Sequence, residues 1–158
     1  HCMRLIGQAE FALYRAVHRA NHRVIFGKPL KDRESFQLEY AKHKISIQRT
    51  KLLVLNAAHK IDISSTKDAQ REIAIAKIEA PNTPLAVIDW AIQVFGAEGM
   101  SQDTELSFMY TNARTLRIAD GPDEAHLNQL ARTYAKAYGD ADVLFASIDQ
   151  NRERLRKL

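Results

Sequence analysis

Apolar residues recur at steps of three and four through nearly the whole chain, and only six glycines and four prolines interrupt its 158 residues. Such spacing places one apolar stripe on a helix of 3.6 residues per turn, whereas the strict alternation that marks strands is scarce. The chain is therefore expected to be all-α. Its length is that of one ordinary domain and is sufficient to bury a core without disulfides or metals.

A first segment, roughly residues 1 to 25, carries Leu5, Ala9, Ala12, Ala16 and Ala20 on one stripe and stops at Phe26-Gly27-Lys28-Pro29. Glycine just past a helix and proline soon after form the usual stop signal. A second segment, roughly 34 to 62, carries Leu38, Ala41, Ile45, Leu52 and Leu55 and breaks at Ser64-Ser65-Thr66, one of which can cap the next helix. A third, roughly 67 to 96, has Ile78, Leu85, Ile88, Ile92 and Phe95 in register, with Pro81 and Pro84 inside it. Proline in a helix interior costs ~3 kcal/mol, so a kinked but continuous helix is expected, with a break near 81 to 84 as the alternative. A helix over roughly 102 to 117 and another over 122 to 137 follow, the latter opened by Pro122 and ended by Tyr138-Gly139-Asp140. A basic helix closes the chain. Three long helices with short connections specify an up-and-down, four-helix-bundle-like domain. Neither a repeat nor an internal domain boundary interrupts it.

The net charge is +4, and residues 150 to 158 supply +3 of it through Arg152, Arg154, Arg156 and Lys157 against Glu153. A terminal basic run is usually a solvated helix end, so nucleic-acid binding, which calls for a basic patch on the folded face, is not expected. No apolar run approaches the ~20 residues of a membrane span, and no signal peptide is visible. The lone Cys2 reads as a bystander. His18 and His22 stand four residues apart, but no further ligand follows in pattern, so no metal site is expected. Trp90 and Phe108-Met109-Tyr110 read as packing residues. The chain opens His1-Cys2-Met3 inside a helical pattern, which suggests a piece of a longer protein.

The segment Arg117-Ile-Ala-Asp120-Gly121-Pro122-Asp123-Glu124-Ala-His126 carries the chemical signal. A short acidic residue followed at once by Gly and Pro marks a tight turn between two helices, one able to push a carboxylate out of the helical framework into a cleft. Alone, the turn is weak. Gly7-Gln8-Ala9-Glu10, Arg23-Val-Ile-Phe26-Gly27-Lys28-Pro29-Leu30, Gln93-Val-Phe-Gly96-Ala97-Glu98-Gly99 and Asp120-Gly121 together, in residue type and spacing, resemble the C-terminal helical domain of acyl-CoA dehydrogenases over about residues 1 to 135. The Asp-Gly-Pro-Asp-Glu-Ala-His version resembles the subgroup of members ten and eleven, which has Asp where most relatives have Glu.

The resemblance implies an FAD enzyme that oxidises acyl-CoA thioesters to trans-2-enoyl-CoA. A carboxylate takes the α-proton, the β-hydrogen leaves as hydride to flavin N5, and electrons pass on to an electron-transferring flavoprotein. It places Asp120 at the general base. A carboxylate suits that role if it is weakly solvated, because burial beside the flavin raises its pKa toward neutrality. Some relatives carry the base on the first bundle helix instead, at a position that would fall just before His1. Asp is a methylene shorter than Glu, which puts straight-chain substrates in doubt. The same resemblance places Arg23, Phe26 and Leu30 against the FAD pyrophosphate and adenine of a neighbouring subunit. Arginine offers phosphate a planar two-donor fork, whereas the bland reading is a helix-end Arg beside a phenylalanine in a small core. Gln93, Gly96 and Ala97 fall on the loop approaching the FAD diphosphate, where small residues let backbone N–H groups come close; an ordinary helix cap is the alternative. Pro122 to Glu124 would lie against the cofactor, and Gly121 and Arg132 near the substrate, though Arg132 also reads as a surface residue. Ile25, and Arg33-Glu34, depart from the family's usual polar residues.

The expected parent is a homodimer or homotetramer with this bundle at its centre, soluble, in the mitochondrion, peroxisome or cytoplasm. The rival reading is a non-catalytic helical module for oligomerisation. Without the domains that enclose flavin and acyl chain, little or no activity is expected of the isolated chain.

Overall fold

A computed structural model describes residues 1–136 and 138–156. The first helix, α1 (Cys2–His22), buries Leu5, Ile6, Ala9, Ala12, Leu13, Ala16 and Ala20. Its alanines leave little side-chain bulk on the buried face, so the backbone can lie close to its main neighbour, α3. A two-stranded antiparallel hairpin follows, β1 (Val24–Ile25) with β2 (Lys28–Pro29). This hairpin stands where a simple helix stop was expected. Phe26 and Gly27 form its two-residue loop with φ of 48° and 71°, the pair of positive values a type I′ hairpin turn requires.

After one 3-10 turn (Leu30–Asp32), α2 (Glu34–Ile63) runs 30 residues. Its packing face corrects the sequence reading. Leu38, Ile45, Leu52 and Leu55 are 50–68% exposed, and Ala41 is exposed with them. The buried residues are Phe36, Ile47, Thr50 and Ala57. The helix carries two series with alternating three- and four-residue steps on opposite faces, and the less apolar one is packed inward. Inside, Thr50 and Thr83 hydroxyls meet at 2.6 Å.

Ser65 starts the way into α3 (Gln70–Phe95): the Asp68 amide donates to Ser65 Oγ at 3.2 Å, and Ser65 Oγ donates to Asp68 Oδ2 at 2.7 Å. These bonds close the turn that precedes the helix; Ala69 stands at the N-cap and no side chain caps it, so none of Ser64-Ser65-Thr66 is the expected cap. The helix runs unbroken through Pro81 and Pro84, both fully buried. Gly96 (φ 70°) ends it and opens the short α4 (Ala97–Met100). A Cβ on Gly99 would lie 2.9 Å from Ile92 Cα, so close packing on α3 requires glycine there.

Next come α5 (Leu106–Thr115) and α6 (Asp123–Ala135). Pro122 stands one residue earlier than expected, as the residue preceding α6, with φ −66° and ψ 158°. The final helix, α7 (Tyr138–Arg156), includes Tyr138-Gly139-Asp140, the residues expected to end α6. Gly139 has no positive φ, so it does not adopt the left-handed geometry of a helix terminator. The core lies among α1, α3 and α5, with Leu5, Ile6, Val87, Ile88 and Leu106 fully buried. Each such side chain contributes roughly 1.5–3 kcal/mol of burial. Among the described residues the domain is all-α apart from the small hairpin.

Candidate active site

The loop between α5 and α6 holds two successive residues in the left-handed region, Asp120 (φ 56°) and Gly121 (φ 96°). A non-glycine residue at positive φ persists only where its surroundings hold it there. Several contacts do so. Arg117 Nε donates to Asp123 Oδ2 at 2.6 Å, and the Asp123 amide donates to the Arg117 carbonyl at 3.2 Å, closing the loop on itself. The Asp123 side chain is 8% exposed while Arg117 is 38% exposed, so only the carboxylate end of the pair is withdrawn from water. Lys77 Nζ, from α3, donates to the carbonyls of Leu116 at 2.7 Å and Gly121 at 3.3 Å. His126 Nε2 lies 3.3 Å from the Asp120 carbonyl. A Cβ on Gly121 would sit 2.9 Å from the same ring nitrogen, so the φ favours glycine and any side chain there would also push the His126 ring aside.

This framework leaves the Asp120 carboxylate 61% exposed at the edge of a recess of about 420 Å³. The recess is walled by Val54, Ala57, Ala58 and Ile61 of α2 and Ile73 and Ala76 of α3, with Lys77 and His126 at its polar end. His1 Nε2 is 3.0 Å from Asp120 Oδ2. The start of α1 therefore abuts the carboxylate. A carboxylate that is held at its backbone, met at one oxygen by His1 and set at the edge of an apolar wall can accept a proton from a substrate lying along that wall.

A second recess, about 400 Å³, collects Arg23, Leu30, Gln93 and Gly96, four of the residues expected at the cofactor, with Phe36, Trp90 and Phe95. Gly96 is needed there for its positive φ, since nothing lies within 4 Å of a Cβ built on it. Ala97 adjoins it and is exposed. Phe26 stands at the hairpin tip, 97% exposed, so the reading that buries it in a small core does not hold. Arg33, which departs from the family's usual residue, fixes that tip. Its Nη2 donates to the carbonyls of Ile25 and Phe26, the latter at 3.2 Å. Tucked behind this surface, His43 packs on Trp90 with ring centroids 5.0 Å apart. Burial holds its pKa below the ordinary imidazole value, opposed by the Glu39 charge and reinforced by Lys42.

Pro122 and Glu124 line a third, smaller recess of about 190 Å³ with Arg114, Arg117 and Asp123. The expected cofactor residues are thus divided between two places on this chain. Arg132 lies exposed on α6, outside the residues lining the Asp120 recess. His18 and His22 stack at 4.7 Å, and His22 Nδ1 donates to the His18 carbonyl, a local helix-end contact. Among the described residues no group of three His, Cys, Asp or Glu is placed to hold a metal, and no helix is long and apolar enough to cross a membrane. Sequence reasoning missed Lys77 and His126. Lys77 bonds carbonyls 39 and 44 residues away, a separation that no local pattern reports.

Fold and site together define a helical bundle built around a strained acidic turn, and residues 1–135 match the family model of the acyl-CoA dehydrogenase C-terminal domain. The chain belongs to the acyl-CoA dehydrogenase family. It is 46% identical over 132 residues to acyl-CoA dehydrogenase family member 11 of Mus musculus, covering 84% of this chain and 17% of that protein. It is 43% identical over 136 residues to family member 10 of the same species, covering 86% of this chain and 13% of that one. Among solved structures, butyryl-CoA dehydrogenase from Megasphaera elsdenii superposes with a TM-score of 0.79 at 30% identity, over 85% of this chain and 34% of its own. The chain thus spans between 13 and 17% of the length of these two curated relatives. Helix α7 lies beyond the residues matched by the family model.

Proposed function

We propose that this chain is the C-terminal domain of a longer FAD-dependent enzyme that oxidises acyl-CoA to trans-2-enoyl-CoA, with Asp120 as the base that removes the α-proton. The observation that carries the reading is the Asp120 carboxylate, held out of the helical framework by two left-handed residues and set against an apolar wall. The wall offers a surface for the acyl chain, and a fixed carboxylate needs no reorganisation when the proton is taken.

The residues present fit FAD. Arg23 makes no ion pair among the described residues and borders a recess with Gln93, Gly96 and an aromatic lining, as a diphosphate and its flanking rings would require. Phe26, Leu30 and Ala97 would extend that surface, and Pro122 and Glu124 would meet cofactor from the second place. Bound there, FAD would supply the hydride acceptor. Gly121 and Arg132 would lie toward the substrate, and an electron-transferring flavoprotein would take the electrons.

Asp120→Asn tests the base. In the full-length enzyme it should leave flavin bound and abolish bleaching of the flavin by substrate; retained bleaching sinks the assignment. The domain by itself should reduce dye with acyl-CoA little or not at all. A second reading, a bundle whose work is oligomerisation, is favoured by one observation, the exposed Leu38–Ile45–Leu52–Leu55 face of α2. Its apolar series fits a second copy of the chain, and the two readings are compatible in a homodimeric or homotetrameric enzyme.

A further inference from the structure

We infer that Lys77 is a positioning residue for the reaction, setting where the Asp120 carboxylate stands relative to the apolar wall; this rests on Asp120 being the base. The loop from Arg117 to Asp123 closes on itself through the Arg117–Asp123 pair, and His126 belongs to the helix that the loop opens. Those contacts shape the loop but do not tie it to α2 and α3, which form the wall. Lys77 does. It projects from α3, one residue beyond the wall residue Ala76, and its ammonium donates to two carbonyls that bracket Asp120, those of Leu116 and Gly121. Leu116 ends α5, where a cation also meets the negative end of the helix.

The consequence follows from side-chain length. A glutamate base can correct a small backbone shift by turning an extra torsion. Asp120 has one fewer, so a displacement of its backbone passes almost directly to the carboxylate. A misplacement of about 1 Å can cost on the order of 100-fold in rate. In this role Lys77 acts through the Gly121 and Leu116 carbonyls, not on the reacting atoms.

The test compares Lys77→Met and Lys77→Arg in the FAD-loaded full-length enzyme. Lys77→Met should lower kcat by about 10- to 100-fold and change KM by no more than about threefold, with FAD content retained. The isotope effect on kcat with α-deuterated substrate should rise, because proton abstraction becomes the slower step. Lys77→Arg, which keeps a cationic donor, should recover most of kcat. Amide exchange should quicken at residues 117–126 and stay unchanged in the α1–α3 core. The inference is overturned if Lys77→Met keeps kcat within about twofold, or if kcat falls only in proportion to lost FAD. If Lys77→Met does not fold, Lys77→Gln, uncharged and one bond shorter although its amide keeps two N–H donors, should show a smaller fall in kcat in the same assay, and a kcat within about twofold of the parent overturns the inference. Asp120→Asn separates the two levels. Bleaching retained in Asp120→Asn removes the base assignment itself, whereas bleaching abolished in Asp120→Asn beside a normal Lys77→Met removes only the role of Lys77.

Discussion

Gly121→Ala is the most informative single change in the acidic turn. Gly121 has φ 96°, and a Cβ there would come within 2.9 Å of His126 Nε2. Placing an L side chain in left-handed backbone costs roughly 1–2 kcal/mol. The ring must also move aside, which gives up its contact with the Asp120 carbonyl, worth about 0.5–1.5 kcal/mol. Together these destabilise the domain by about 1.5–3.5 kcal/mol, which for a chain of this length lowers Tm by roughly 3–14 °C. The assay is thermal unfolding by circular dichroism of the parent, Gly121→Ala, His126→Ala and the double variant. In the His126→Ala background the steric part is gone, so Gly121→Ala should cost only its backbone part. The reasoning is refuted if Gly121→Ala melts within about 1 °C of the parent, or if its penalty is the same with and without the ring. In the full-length enzyme the same variant should lose kcat, since the carbonyl that Lys77 holds belongs to the shifted residue.

Three further outcomes are expected. Thr83→Val strands the Thr50 hydroxyl, which is fully buried and 2.6 Å from Thr83 Oγ1, at a cost of about 1–3 kcal/mol; Thr50→Val/Thr83→Val should recover most of it, and an equal loss in both variants would count against the pair. His43 has its folded pKa lowered by burial, so its contribution to stability is fully present above its ordinary value of 6.5 and is lost as pH falls through the lower folded value. Melting temperatures should therefore decline on acidification, and His43→Phe should flatten that part of the profile; an unchanged slope would be the contrary result. Ile45→Glu/Leu52→Glu places charge on side chains that are 68% and 55% exposed, so the domain should melt as before while its sedimentation shifts to the monomer. A parent that is already monomeric would remove the argument for α2 as an interface.

The class of fold, the long helices and the family were all legible in the residues. Their cause is local: a period of 3.6, stop signals such as Gly96, and a motif whose residue types and spacings survive in linear order. The α1 stripe of Leu5, Ala9, Ala12, Ala16 and Ala20 is buried as its spacing implies. The helix through Pro81 and Pro84 is continuous, as helical periodicity on both sides of them suggests. The turn at Asp120 was likewise marked by Gly121 and Pro122, whose backbone preferences act within a few bonds.

What the tertiary structure alone decided is which of two equivalent patterns faces inward and which distant groups meet. In α2 the series through Leu38 and the series through Phe36 have the same spacing, and apolarity favours the outer one. The inner face was chosen by what α1 and α3 could accommodate, including a threonine pair that only a facing partner makes acceptable in a core. The hairpin at Phe26 depended on Arg33 reaching back to its carbonyls. The Asp120 recess needed walls from α2 and α3, and the turn needed Lys77 from across the bundle. Periodicity records the faces of a single element. It carries no record of which face another element will cover, or of contacts between residues some forty positions apart, because those are set only when the helices pack.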